Sequence, residues 1–178
     1  MRIHRLARIV GTAAAVAGLA AAAATSSATP AAQTAAAKKI TRKGVDGVKL
    51  GATYKHLRAT HKVRKIHQGC EFAGPKARAA ELRKPLRGTV NFTRSKPRRV
   101  RDITITGGAK ARGVAVGDVT SDIKAKYPKA TEDHSTDDTF GATIVRVPKG
   151  GGGRLEFAVS TDTHKITLIG VPRIAICD

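Results

Sequence analysis

The 178-residue chain has no tryptophan, only four phenylalanines and two tyrosines, two cysteines, and 13 acidic residues against 33 basic ones. Each shortage narrows the field. Six aromatics supply few anchors for a protein-binding surface, whose energetics aromatic side chains usually dominate. The basic clusters described below have almost no aromatic interleaved, which argues against a stacking platform for unpaired bases and leaves phosphate-only, sequence-independent contact. Two cysteines are too few for a four-thiolate zinc site. The apolar run at residues 9–24 is shorter than the roughly 18 residues a membrane-spanning helix needs. Catalytic signatures are also missing. Asp133, His134 and Ser135 are adjacent and cannot converge as a triad, no serine sits in a Gly-x-Ser-x-Gly elbow, and glycines 150–153 lead into a β-rich run rather than opening a helix as a phosphate loop does.

What is present at the start is an address. Arg2, Arg5 and Arg8 precede the alanine-rich run, and Ser26, Ser27 and Ala28 supply small residues for a peptidase, so residues 1–28 read as a cleaved export signal. Residues 29–43, without apolar periodicity, read as a disordered leader, with folded structure from Gly44. In an exported chain the default for Cys70 and Cys177 is one disulfide. The rival is a metal site begun by His67 and Cys70, but it stops at three ligands with Cys177, so neither metal nor cofactor is expected.

Organisation comes from self-similarity. Gly47-Val48-Lys49-Leu50-Gly51 returns 66 positions later as Gly113-Val114-Ala115-Val116-Gly117. Each copy opens a helical pattern: Thr53 is the cap of the first, with Leu57 and His61 inward, and Asp118 that of the second, with Val119, Ile123 and Tyr127 as a buried stripe ended by Pro128. His61 is expected to fill, half-buried, the place Tyr127 takes. Strands follow at residues 89–93 and 100–106 around a Pro97 turn, and at 140–147, 154–160 and 165–169, with 174–176 closing. Residues 75–84 read as strand or irregular. The expected fold is α+β: two tandem repeats, 44–108 and 109–178, each a short helix followed by an antiparallel meander, with Phe92 and Phe157 as matched core residues.

This order, a Val-x-Leu-Gly lead, a helix ending in Tyr-Pro and then a meander, twice over, resembles the tandem helix-plus-sheet repeat of secreted β-lactamase inhibitor proteins and the related outer-membrane lipoprotein module, seen also in exported actinomycete proteins. The residues that carry it are Gly47, Gly51, Gly113, Gly117, Asp118, Tyr127 and Pro128, and it spans residues 44–178. The resemblance implies a non-enzymatic protein that binds through a sheet face. The inhibitors present an aromatic-rich concave surface, which this chain cannot match.

Charge is the sharpest feature. Without Arg2, Arg5 and Arg8 the chain has 30 basic and 13 acidic residues, net +17. Residues 38–112 hold 22 basic and 4 acidic residues, net +18, whereas 113–178 hold 8 and 9, net −1. Two repeats with the same fold demands differ by nineteen charges, so the fold does not require the excess. It gathers at Lys55, Arg58 and Lys62 on one helix face, continued by Arg64 and Lys65, and at Arg94, Lys96, Arg98, Arg99 and Arg101 around the first hairpin turn. The expectation is a monomeric, secreted or wall-associated binding module whose basic repeat docks on a cell-wall polymer, a membrane surface or an acidic protein, nucleic acid being a non-specific partner. Two alternatives stay open: a secreted hydrolase such as a ribonuclease, using His56, His61, His67 or His164, and an enzyme inhibitor. The bland alternative is a merely solubilising surface.

Overall fold

The computed structural model describes residues 36–150 and 153–175; residues 1–28, expected to be an export signal, and Cys177 lie outside them. Strands β1 Lys38–Thr41, β2 Gly44–Val45 and β3 Val48–Lys49 lead to helix α1 Tyr54–Ala59, followed by β4 His67–Gln68, β5 Arg78–Glu81, β6 Arg87–Phe92 and β7 Val100–Gly107. The chain continues through β8 Ala109–Ala111, β9 Val114–Ala115, helix α2 Thr120–Lys126, β10 Thr131–Asp133, helix α3 Asp137–Phe140, β11 Ala142–Gly150, β12 Gly153–Ser160 and β13 Ile166–Val171. The described residues are thus mostly antiparallel sheet with three short helices.

Two sheets result. The larger has the order β10-β11-β12-β13-β7-β6-β5-β4, so two runs of sequential neighbours meet at β13 and β7, where Ile169 faces Ile105 and Val171 faces Ile103. The smaller has the order β3-β2-β1-β8-β9 and contains the one parallel pairing among the described residues, β1 with β8. Alternation along β12 sends Leu155, Phe157 and Val159 into the main core, with Ala158 on the opposite face. Leu57 and Ile123, the inward residues of α1 and α2, are fully buried in that same core, as are Phe92 and Phe157 to within 1 %. Tyr54 meets Phe92 edge-on at 5.5 Å, and Tyr127 meets Phe157 at 5.8 Å.

Several expectations are corrected. Ordered backbone starts inside the stretch expected to be a disordered leader: Ile40 of β1 is buried, and pairing with β2 on one side and β8 on the other holds a segment with almost no apolar pattern of its own. Asp118 is not the cap of α2, because its carboxylate accepts the Ala115 N–H at 2.8 Å; Val119 takes that position, and Asp122 accepts the Val119 N–H at 3.2 Å. Val119 is exposed rather than part of a buried stripe, being held at the helix mouth by a bridge to Lys165. His61 lies past the end of α1 with φ 53°, which turns it to solvent; the aromatic against Phe92 is supplied from the other end of the helix by Tyr54. Ile174 forms no strand. It is buried across the second face of the sheet with Ile144 and Ala158, and its N–H donates to the Glu156 carboxylate at 2.9 Å.

Candidate anion-docking face

Helix α1 has one inward residue, Leu57, so Lys55 and Arg58 are left on its outer surface. Its cap is the expected one: the Thr53 hydroxyl accepts the His56 N–H at 3.2 Å. The β6–β7 turn is closed by backbone and side chain together, with Thr93 N–H donating to the Arg99 carbonyl at 2.8 Å and Arg99 N–H to the Thr93 hydroxyl at 3.0 Å. That turn then docks on the helix mouth. Tyr54 N–H donates to the Arg98 carbonyl at 2.8 Å, Gly51 N–H to the Val100 carbonyl at 2.9 Å, and the Arg99 guanidinium to the Gly51 carbonyl at 3.0 Å.

Two clusters some forty residues apart in sequence therefore share one surface. Between them is an open cleft of about 490 Å³ with Tyr54, Ile66 and Pro97 on its apolar side and Lys55, Lys96 and Arg98 at its rim. A neighbouring depression shares Tyr54 and Lys55 and adds Arg58, His61 and Arg83. Arg83 was not among the cations singled out in the sequence. It sits just after β5, and its guanidinium donates to the Val63 carbonyl at 3.4 Å, a contact no local pattern announces.

The ten cations singled out divide by what they already hold. Lys62 lies 3.1 Å from Asp46, with Lys38 3.4 Å from the same carboxylate; the Lys62 hydrogen bond above all holds the Asp46 carboxyl below its ordinary range. Arg101 lies 2.7 Å from the fully buried Asp102, which also accepts from Asn91 at 2.6 Å. These two arginine and lysine side chains serve the fold. Arg98 and Arg99 are partly spent on backbone carbonyls. Lys55, Arg58, Arg64, Lys65, Arg94 and Lys96 are exposed and make no ion pair among the described residues.

The acidic stretch that could have neutralised this face does not reach it. Glu132 pairs with Lys124 at 2.6 Å, Asp133 with Arg146 at 2.5 Å, and Asp137 with His134 at 2.8 Å. Lys124 holds the Glu132 carboxyl low, the Ser135 N–H does the same for Asp133, and Asp137 raises the imidazole of His134.

The remaining sequence candidates scatter. His56 and His61 are exposed around α1, and His164 is exposed in the β12–β13 turn. His67 lies 3.7 Å from Glu81, with both side chains about half exposed. No group of three metal-binding side chains gathers among the described residues. Asn91, which with Phe92 and Thr93 matches a glycosylation acceptor sequence, is buried against Asp102. No described cysteine is free, and Cys177 lies outside the described residues. Compared with protein-family models, curated proteins and solved structures, the chain matches none.

Proposed function

We propose that the chain is an exported, non-enzymatic binding module that attaches to an anionic extracellular partner, an acidic wall polymer foremost, through the face formed by α1 and the β6–β7 turn. The observation that carries this reading is convergence without compensation. Lys55, Arg58 and Lys96 stand around depressions that share Tyr54 and Lys55, Arg94 is exposed in the same turn as Lys96, and Glu132, Asp133 and Asp137 are held by their own neighbours. Close like charges that the fold neither needs nor neutralises raise the local potential and recruit an anion.

The reading includes the architecture. Residues 44–108 and 109–178 are taken as tandem repeats, each a helix and a meander. Support comes from the sheet order, in which β4–β7 and β10–β13 run outward as mirror-ordered sets from the β7–β13 junction, and from the Tyr-on-Phe contact in each half. It also includes a Cys70–Cys177 disulfide. Cys70 and Ala175 border the same cleft of about 560 Å³, two residues short of Cys177. A loop of about a hundred residues closed in this way contributes roughly 4 to 5 kcal/mol in the chain-entropy account.

The test is a salt series on purified wall polymer, anionic vesicles and RNA, by co-sedimentation or anisotropy. Changing Lys55, Arg58, Arg94 and Lys96 to Gln together should weaken binding and flatten the log affinity against log salt slope by roughly one unit per lost contact. Changing the exposed Lys39, Lys110, Lys165 and Arg173 removes as much charge elsewhere and should change the slope little. Equal, salt-insensitive binding by both variants would leave the basic face solubilising only. RNA cleavage abolished by a single histidine substitution would favour the hydrolase instead.

A further inference from the structure

A second cationic cleft lies on the opposite flank of the small sheet, and none of its residues belongs to the α1 and hairpin face. The parallel pairing of β1 with β8 sets Ile40 beside Ala111, so the turns that follow the two strands leave from the same end of the sheet. Arg42 comes from the first turn and Arg112 from the second. The end of α2 brings Lys126, and the residues after it bring Lys129, to the same opening of about 250 Å³, whose apolar side includes Tyr127, Val147 and Pro148. No carboxylate lines it among the described residues.

The two guanidinium groups are held in place before any ligand arrives. One nitrogen of Arg42 donates to the carbonyls of Pro148 at 2.6 Å and Gly153 at 3.1 Å, which leaves the rest of its fork without a partner among the described residues. Arg112 lies 5.4 Å over the Tyr127 ring and donates to the Lys126 carbonyl at 3.5 Å, covering a helix C-terminus that would otherwise repel an anion. Lys126 and Lys129 are exposed and make no ion pair among the described residues. Their neighbourhood is not simply basic: residues 113–178 hold 8 basic and 9 acidic residues, yet of the acids nearest in sequence Asp122 accepts the Val119 N–H, and Glu132 and Asp133 are turned to Lys124 and Arg146.

We propose that this cleft binds one phosphate ester, with its oxygens held by Arg42, Arg112, Lys126 and Lys129 and its organic part against Tyr127, Val147 and Pro148. Four cations with no opposing carboxylate suit a group that carries more than one negative charge, and pre-positioned guanidinium forks match phosphate oxygens better than they match a point charge. The volume admits a single headgroup-sized ligand and no length of polymer, so the site is separate in kind from the docking face.

The experiment is a backbone-amide NMR titration of the oxidised full-length mature chain at fixed ionic strength, with phenyl phosphate, inorganic phosphate and benzoate as probes. Saturable shifts at Arg42, Arg112, Lys126 and Lys129 are expected, with phenyl phosphate at least fivefold tighter than inorganic phosphate and benzoate weaker than either. K126Q/K129Q removes two exposed side chains that hold nothing in the fold and should weaken phenyl phosphate tenfold or more; R112K, which keeps the charge and loses the fork, should weaken it severalfold. K76Q/K84Q, at exposed positions elsewhere, should not. Phosphatidylglycerol vesicles that displace phenyl phosphate identify a lipid headgroup as the source of the ester, and glycerol 3-phosphate competing where vesicles do not identifies a free one. Shifts that stay linear and equal those of added chloride, benzoate binding as tight as phenyl phosphate, or full binding by K126Q/K129Q would each overturn the site.

Discussion

Helix α1 begins on Thr53, whose hydroxyl accepts a helix N–H, while α2 begins on Val119, which has no side-chain acceptor, so Asp122 reaches back to the Val119 N–H instead. Thr53→Ala should therefore lower stability by about 1 kcal/mol in a urea titration, with Val119→Ala well below that. His134 offers a pH-dependent check. Its imidazole is raised above the ordinary 6.5, first by the Asp137 hydrogen bond, so protonation is favoured in the folded chain. The sign follows: the stabilisation is fully present below about 6.5 and is lost as pH rises through the higher folded value. NMR titration of the ring protons should show that upward displacement, and Asp137→Asn should bring it back. Gly88 is a third position, with φ 138° and a Cβ path blocked by the Thr104 carbonyl. Gly88→Ala should be strongly destabilising, more so than Gly51→Ala, where the φ of 80° strains an L residue but no atom blocks the Cβ.

Between elements, the contacts that matter are those of short helices lying on a wide sheet. Each of α1 and α2 places one fully buried residue, Leu57 or Ile123, and each half adds a tyrosine against a buried phenylalanine. Helices of six and seven residues are not stable alone, so packing must hold them. Phe92→Ala or Phe157→Ala should each cost about 3 to 5 kcal/mol in denaturant unfolding, with loss of near-ultraviolet tyrosine dichroism. Costs below 1 kcal/mol would mean that the rings do not anchor the core. The β6–β7 turn is rigid for a similar reason: Arg98 and Arg99 are occupied with carbonyls, which is why Arg94 and Lys96 at its tip are the better test residues.

For the whole molecule, the junction is decisive. β7 pairs with β13 and β1 with β8, so residues 38–108 alone lose a strand partner in both sheets. That fragment should be largely unfolded by circular dichroism; a sharp melting transition of its own would show an autonomous domain. The charge difference belongs to this scale too. Nineteen charges separate residues 38–112 from 113–178, and among the described residues ion pairs reduce the exposed excess in the first segment only at Lys38, Lys62 and Arg101.

The chain's local chemistry was enough to announce the two glycine-framed leads, the Thr53 cap, the strands about Pro97 and the inward Leu57, Ile123, Phe92 and Phe157, because turn geometry and apolar period are properties of neighbouring residues. It also announced the charge asymmetry, which needs only counting. Tertiary structure alone decided the rest. β1 is ordered by strands it pairs with rather than by its own pattern, Ile174 is buried by crossing a sheet face rather than extending it, and His61 is exposed because Tyr54 already meets Phe92. The candidate sites divide along the same line. Lys55, Arg58, Arg94 and Lys96 could be named from charge runs, but only the fold could set Lys62 and Arg101 aside for Asp46 and Asp102. Nothing in the sequence linked Arg42, Arg112, Lys126 and Lys129, since they are joined by a parallel strand pairing and a helix end, contacts that sequence separation hides.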